Sequence, residues 1–186
     1  MSEGDSIERL FVAVPLPAPV SERLVRMQPP SQAGVRRIAR NDMHITLHFL
    51  GRAKTAPVSQ SLRSVEARQF SVRLAGRGSF SLRGPRTILW VGVEPVAGLI
   101  ALHEKTAKAL SAVGLKLEGR PYRPHITVAR LAARAPRDLI ESFKGLSQPE
   151  DDIDFECSRY ALFASETAPK GARYRELGSF PLNAGS

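Results

Sequence analysis

Cysteine is almost absent from this chain of 186 residues; Cys157 is the only one. A single thiol cannot build a disulfide framework or a multi-thiolate zinc site, which fits a reducing compartment. Its local run, DFECSRYALF (154–163), has strand character, so the thiol is expected to be a small core or edge residue rather than a nucleophile. No apolar run approaches the roughly 18 residues of a membrane-spanning helix, and the opening MSEGDSIE is acidic where a secretory signal is basic, so a cytoplasmic location is expected. Phosphate-binding G-x-x-x-x-G-K-[ST] loops are missing, AGRGSF (75–80) is only a fragment of a glycine-rich fingerprint, and there is no G-x-S-x-G elbow. Nucleotide triphosphate hydrolysis and serine-hydrolase chemistry therefore have no local support.

Acidic residues are also in short supply. Lys and Arg number 27 against 18 Asp and Glu, a formal net charge of +9, which predicts attraction to polyanions such as RNA, DNA or a phosphorylated metabolite and says nothing about fold. The length and the 42% hydrophobic content fit one domain, residues 1–186, or two small lobes sharing a core.

Along the chain, RLFVAVPLP (9–17) reads as a strand and 18–28 as a helix with Val20, Leu24 and Met27 on one face. A strand that ends at Gly51 and a helix near 56–69 follow. FSVRLAG, SFSLRG and RTILWVGVE read as short strands separated by turns. The clearest helix is 96–113, where Val96, Leu99, Ile100, His103, Ala107 and Leu110 recur at helical intervals before Gly114. A strand at 125–131, a weaker helix near 136–144, an acidic run at 150–154 and strands at 155–164 and 172–180 complete the chain. The recurring order of strand, helix and histidine-bearing strand suggests two similar α+β lobes meeting at a cleft.

Histidines number four, and two of them stand in matching contexts: His44-Ile45-Thr46-Leu47 and, 81 positions later (125 − 44), His125-Ile126-Thr127-Val128. In a strand, residues i and i+2 share a face and lie about 6.5–7 Å apart. Alternation therefore sets His44, Thr46 and His48 on one face with Ile45, Leu47 and Phe49 in the core, and His125 and Thr127 opposite Ile126 and Val128. If the polar faces front one cleft, two imidazoles and two hydroxyls converge. Imidazole titrates near neutral pH, so one ring can act as general base and the other as general acid, while the hydroxyls donate to a phosphate. That set suits in-line displacement at a phosphodiester without a metal; spacing leaves open which ring is the acid. The spacing of His44 and His48 binds zinc only on a helix, which the surrounding Ile, Thr and Phe disfavour. His103, on the apolar stripe of its helix, is expected in the core or at its boundary.

The paired motifs, with HITLHFLG closing the first and RPHITVAR forming the second, resemble the two-histidine (2H) phosphoesterase superfamily and its LigT-like RNA 2′,3′-cyclic phosphodiesterases. The opening RLFVAVPLP, RTILWVGVE before the long helix and the closing YALFASETAPKGARYREL are similar to that family as well. The resemblance implies an α+β, bilobal fold: two pseudo-symmetric antiparallel-sheet lobes with outer helices around a central groove. It implies His44 as proton donor to the leaving 3′ oxygen, His125 as proton acceptor that activates water, and Thr46 and Thr127 as phosphate-binding hydroxyls. Arg130 matches a phosphate-contacting arginine; strict alternation from His125 points it at the core, so either the strand twists or ends there or Arg130 reaches the groove from its rim. Where the family commonly has lysine this chain has His48, read as a contact at the rim of the site or as a solvated strand residue, and not as catalytic. The expected partner is RNA with a 2′,3′-cyclic phosphate end and the product a 2′-phosphate, with no metal or cofactor, no membrane association and a monomeric protein. Other 2H substrates (2′-5′ oligonucleotides, cyclic nucleotide metabolites), RNA ligation and RNA binding without catalysis are the alternatives.

Overall fold

The computed structural model describes residues 6–82, 84, 86–136, 138–145, 153–168 and 171–184. The chain runs through β1 (Ile7–Pro15), α1 (Ala18–Arg26), β2 (Val35–Arg37), a 3-10 turn (Arg40–Asp42), β3 (His44–Lys54), α2 (Thr55–Arg63), β4 (Phe70–Ser81) and β5 (Thr87–Val93). It continues through α3 (Ala97–Ala112), β6 (His125–Leu131), α4 (Asp138–Gly145), β7 (Asp154–Cys157), β8 (Arg159–Ala168) and β9 (Gly171–Pro181).

All pairings between these strands are antiparallel, and together they form one curled sheet in the order β7-β4-β5-β6-β3-β1-β8-β9, with β2 beside β6. Its midpoint is the junction of the two histidine strands, a single pair, Ile45 with Ile126. From there each half runs outward through four strands, β3-β1-β8-β9 and β6-β5-β4-β7. The expected bilobal α+β architecture is therefore what the chain adopts. The lobes do not follow sequence order, however. The strand expected at 155–164 is two strands, and at Ser158 the chain leaves β4 for β1, crossing from one lobe to the other.

The strands form where apolar residues alternate, and their inward faces join α1, α2 and α3 in one core that includes Val12, Leu24, Ile45, Leu62, Leu99, Leu110, Ile126 and Leu162, none more than 1% exposed. Two polar side chains anchor α2 across that core. The Tyr160 hydroxyl donates to the Leu62 carbonyl at 2.6 Å, and Ser61 Oγ donates to the Ala109 carbonyl at 2.6 Å. Cys157 is buried, as expected, and burial pushes its thiol up to about 12, which rules it out as a ready nucleophile.

Other differences from the sequence expectations have local causes. The helix read at 56–69 stops at Arg63 because the backbone of 67–69 pairs with Asn183 instead: Gln69 N–H donates to the Asn183 carbonyl and Asn183 N–H to the Ala67 carbonyl. The two strands read at 70–76 and 79–84 are one, β4, interrupted by a bulge in which Ala75 and Gly76 oppose Gly92; Gly76 supplies the positive φ of 67°. β3 likewise runs on through Gly51, whose φ is 68°, at a second irregularity. The acidic run at 150–152 lies outside the described residues.

The most consequential irregularity is in β3 three residues after His44. Val12 pairs with His48 and Ala13 with Thr46, so Leu47 is an extra residue and the alternation of faces reverses beyond it. His48, expected on the site face, is instead buried at 7% exposure, and Phe49, expected in the core, is 63% exposed. On the core side, His48 Nε2 lies 2.9 Å from the His103 carbonyl and 3.0 Å from Thr106 Oγ1, which ties β3 to α3. His48→Ala should therefore cost about 2 kcal/mol or more of folding stability by urea unfolding, and Phe49→Ala less than about 1 kcal/mol. Uninterrupted alternation predicts the reverse ranking.

Candidate active site

Both histidines enter the groove between the lobes in the same way. His44 Nδ1 lies 2.8 Å from the carbonyl of Asp42, and His125 Nδ1 lies 2.7 Å from the carbonyl of Arg123, in each case two residues upstream. A carbonyl only accepts, so Nδ1 carries the proton in both rings, and Nε2 is the nitrogen left for chemistry. Continuing the Ile45–Ile126 register by one residue each way sets His44 opposite Thr127 and Thr46 opposite His125. The four expected side chains thus gather in one place. The Tyr122 hydroxyl, on the segment leading into β6, donates to the Thr46 carbonyl at 3.2 Å and links the two motifs a second time.

Arg130 joins them because β6 carries the same irregularity as β3, at the same offset. Trp90 pairs with Thr127 and Leu89 with Ala129, which leaves Val128 as the extra residue. Val128 and Ala129 are both buried, and Arg130 returns to the face of His125 and Thr127. The Val128 carbonyl accepts from Gln28 Nε2 at 2.9 Å and from the Ile38 N–H at 3.0 Å, so the bulge leaves no unpaired acceptor there. Arg130 therefore reaches the groove from within the strand, and its positive charge is felt at His44. The corresponding residue in β3, five after its histidine, is Phe49.

Six of the chain's twelve Phe, Trp and Tyr side chains surround the two imidazoles. Phe11 lies 4.9 Å from His44 between ring centres, with Tyr174 edge-on at 5.3 Å and Phe163 at 6.3 Å. Phe49 covers Phe11 at 6.3 Å. Across the groove Phe80 stands edge-on to His125 at 5.0 Å and Trp90 at 6.2 Å. Trp90 lies flat over Gly78, where a Cβ would come within 2.2 Å of the indole. This apolar lining desolvates the site. Burial lowers His44 to about 4, opposed by its bond to the Asp42 carbonyl and reinforced by the charges of His125 and Arg130. His125 is also lowered by burial, with its bond to the Arg123 carbonyl opposing. Both imidazoles are therefore neutral at neutral pH in the unliganded protein.

The other two histidines stand behind the site. The His103 ring stacks on His48 at 4.4 Å and on Tyr122 at 4.0 Å, so the boundary position expected from its helical stripe is where it sits. The bulge puts His44 and His48 on opposite faces of β3, and they cannot bind one zinc ion together. Sequence reasoning missed Tyr122, Thr106 and the groove face of Phe49. The lining takes one aromatic from each of β1, β8 and β9, Phe11, Phe163 and Tyr174, and finding it required knowing that these strands are neighbours.

Two imidazoles and two threonine hydroxyls converging in an open groove on a curled antiparallel sheet are the marks of the two-histidine phosphoesterase class. A family model described as the 2′-5′ RNA ligase superfamily matches residues 16–168, and the chain belongs to that family. An RNA 2′,3′-cyclic phosphodiesterase of Thermus thermophilus is 33% identical, over 94% of this chain and 90% of its own length. One from Geobacillus stearothermophilus is 31% identical over 92% of this chain, which spans 56% of that relative's length. Escherichia coli LigT complexed with 3′-AMP superposes with a TM-score of 0.75 at 26% identity, over 95% of this chain and 99% of the other. The likeness to LigT read from the sequence thus holds for family and fold. Among the described residues no helix is long and apolar enough to cross a membrane.

All four histidines are lowered from 6.5, His44 and His48 to about 4, so below about pH 6.5 the unfolded chain binds more protons than the folded one. The stability contributed by these neutral rings is present above that pH and is lost as pH falls toward 4. The thermal midpoint should be lower at about pH 5 than at about pH 7, and His48→Leu should reduce the difference; an unchanged pH dependence in that variant would contradict the assignment.

Proposed function

We propose that this protein hydrolyses RNA 2′,3′-cyclic phosphate ends to 2′-phosphomonoesters by acid and base catalysis from two histidines. The observation that carries the reading is the matched pair of Nδ1-tethered imidazoles, each beside the other motif's threonine, in a chain whose relatives bear the name RNA 2′,3′-cyclic phosphodiesterase. Neutral His125 accepts a proton from water at Nε2, and the water oxygen bonds to phosphorus. The bond from phosphorus to the 3′ oxygen breaks, and His44 supplies the proton which that oxygen needs. Thr46, Thr127 and Arg130 donate to the non-bridging oxygens, where charge concentrates.

His44 must be protonated to act as an acid, yet it is held near 4 when the groove is empty. A phosphodiester anion beside it favours the imidazolium, so substrate binding itself loads the acid. In this proposal the 186 residues act as one bilobal domain, monomeric and cytoplasmic, with no metal or cofactor.

The family description favours a second reaction on the same site. With a ribose 5′-hydroxyl in place of water, and the proton transfers unchanged, the same displacement joins two RNA ends through a 2′-5′ phosphodiester.

The experiment is incubation of EDTA-treated protein with an oligonucleotide ending in a 2′,3′-cyclic phosphate. A 2′-monophosphate should appear, and His44→Ala and His125→Ala should each lower kcat by about 10²-fold or more while RNA binding persists. A 3′-monophosphate product, loss of activity with EDTA, or parental rates in both variants would contradict the proposal.

A further inference from the structure

We propose that Arg36 and Arg130 form a second phosphate subsite, which takes the phosphate on the 5′ side of the terminal nucleotide; this rests on the reading of the groove as a site for cyclic phosphate ends. β2 pairs with β6 in a register that sets Arg36 directly opposite Arg130. Residues opposite one another in an antiparallel pair share a face, with Cβ atoms about 4.5–5.5 Å apart, and like charges so placed repel. An anion held between them removes that cost.

Three observations put Arg36 on the groove side. First, its partner Arg130 is returned to that side by the Val128 bulge. Second, the next residue, Arg37, points the other way, with Nε donating to Gln28 Oε1 at 2.8 Å and Nη2 to the Val25 carbonyl at 3.1 Å beside α1. Third, the charge of Arg36 is felt at Asp42, whose carbonyl tethers the His44 ring. The same Gln28 amide that accepts from Arg37 also donates to the bulged Val128 carbonyl, so one side chain fixes the orientation of both strands.

The charges around the pair leave it open to an anion. Asp42 is the carboxylate near Arg36, and it also feels Arg173; its carboxyl is raised above the usual range by burial, against the pull of both arginines. Among the described residues neither Arg36 nor Arg130 enters an ion pair. Arg130, whose charge reaches His44, is the inner guanidinium, shared between the reacting phosphate and this one, and Arg36 is the outer one. An RNA strand that ends in a cyclic phosphate leaves the two histidines in one direction only, toward its 5′ side. The next phosphate along that path is the chemistry that two guanidinium forks recognise.

The test compares adenosine 2′-monophosphate with adenosine 2′,5′-bisphosphate by calorimetry, and adenosine 2′,3′-cyclic phosphate with and without a 5′-phosphate by kinetics. The wild type should favour the 5′-phosphorylated ligand and substrate by about tenfold or more, a margin that shrinks with added salt. Arg36→Ala should collapse that ratio, and Arg36→Lys should restore only part of it, since a lysine offers no bidentate fork. No preference in the wild type, or a preference that Arg36→Ala leaves intact, would overturn the subsite. A parallel fall for both members of each pair keeps the ratio and would also overturn it. Should the wild type turn over neither cyclic nucleotide, the hydrolase reading fails, while the two monoester ligands still decide the subsite.

Discussion

An extra residue in an antiparallel ladder has no partner opposite it, so the strand bends and every side chain beyond changes face. In this chain that happens at Leu47 and at Val128, each three residues after the histidine of its strand. Before the slip, His-x-Thr presents an imidazole and a hydroxyl to the groove. After it, residue four turns into the core and residue five comes forward. The two strands use the device for different ends. In β3 it sends His48 back to hold α3 and brings Phe49 to the groove, and in β6 it buries Ala129 and brings Arg130 forward. A single repeated backbone feature thus brings an aromatic ring forward in one strand and a guanidinium in the other.

Desolvation and charge then act together on the site so formed. The lining of Phe11, Phe163 and Tyr174 on one side and Phe80 and Trp90 on the other removes water from both imidazoles, which favours the neutral rings. Arg130 pushes His44 in the same direction, because a nearby cation disfavours an imidazolium. The negative charge of an incoming phosphate opposes both influences. The empty groove is a cationic, partly apolar trough with two neutral imidazoles, and in the proposed reaction the anion bound there is also what makes one of them an acid. The formal charge of +9 has a local meaning here that its total did not reveal.

Much of this was legible beforehand, and the boundary of legibility is physical. Alternation sets His44 and Thr46, and His125 and Thr127, on the groove face because they precede the slips, where a period of two holds. Strict alternation exchanges His48 and Phe49 and sets Arg130 against the groove role that the family resemblance gives it, because all three follow the slips. A bulge is decided by how the partner strand pairs, at Val12–Ala13 and Leu89–Trp90, and no propensity of Leu47 or Val128 announces it. The crossing at Ser158 was hidden for a similar reason: residues 154–164 keep a strand pattern throughout, and only the change of neighbour from β4 to β1 divides them. Helix α3 was found because its stripe is local, although Thr106 within it is buried as the hydrogen-bond partner of a distant histidine.

The central claim is that both tethered rings turn the same nitrogen, Nε2, to one groove. Long-range 1H–15N spectroscopy of the histidine side chains, at about pH 7.5 and without ligand, tests it most directly. The account predicts neutral rings for His44 and His125, each with its proton on Nδ1 and an unprotonated Nε2. A proton on Nε2 of either ring, or an imidazolium in the free protein, would contradict it.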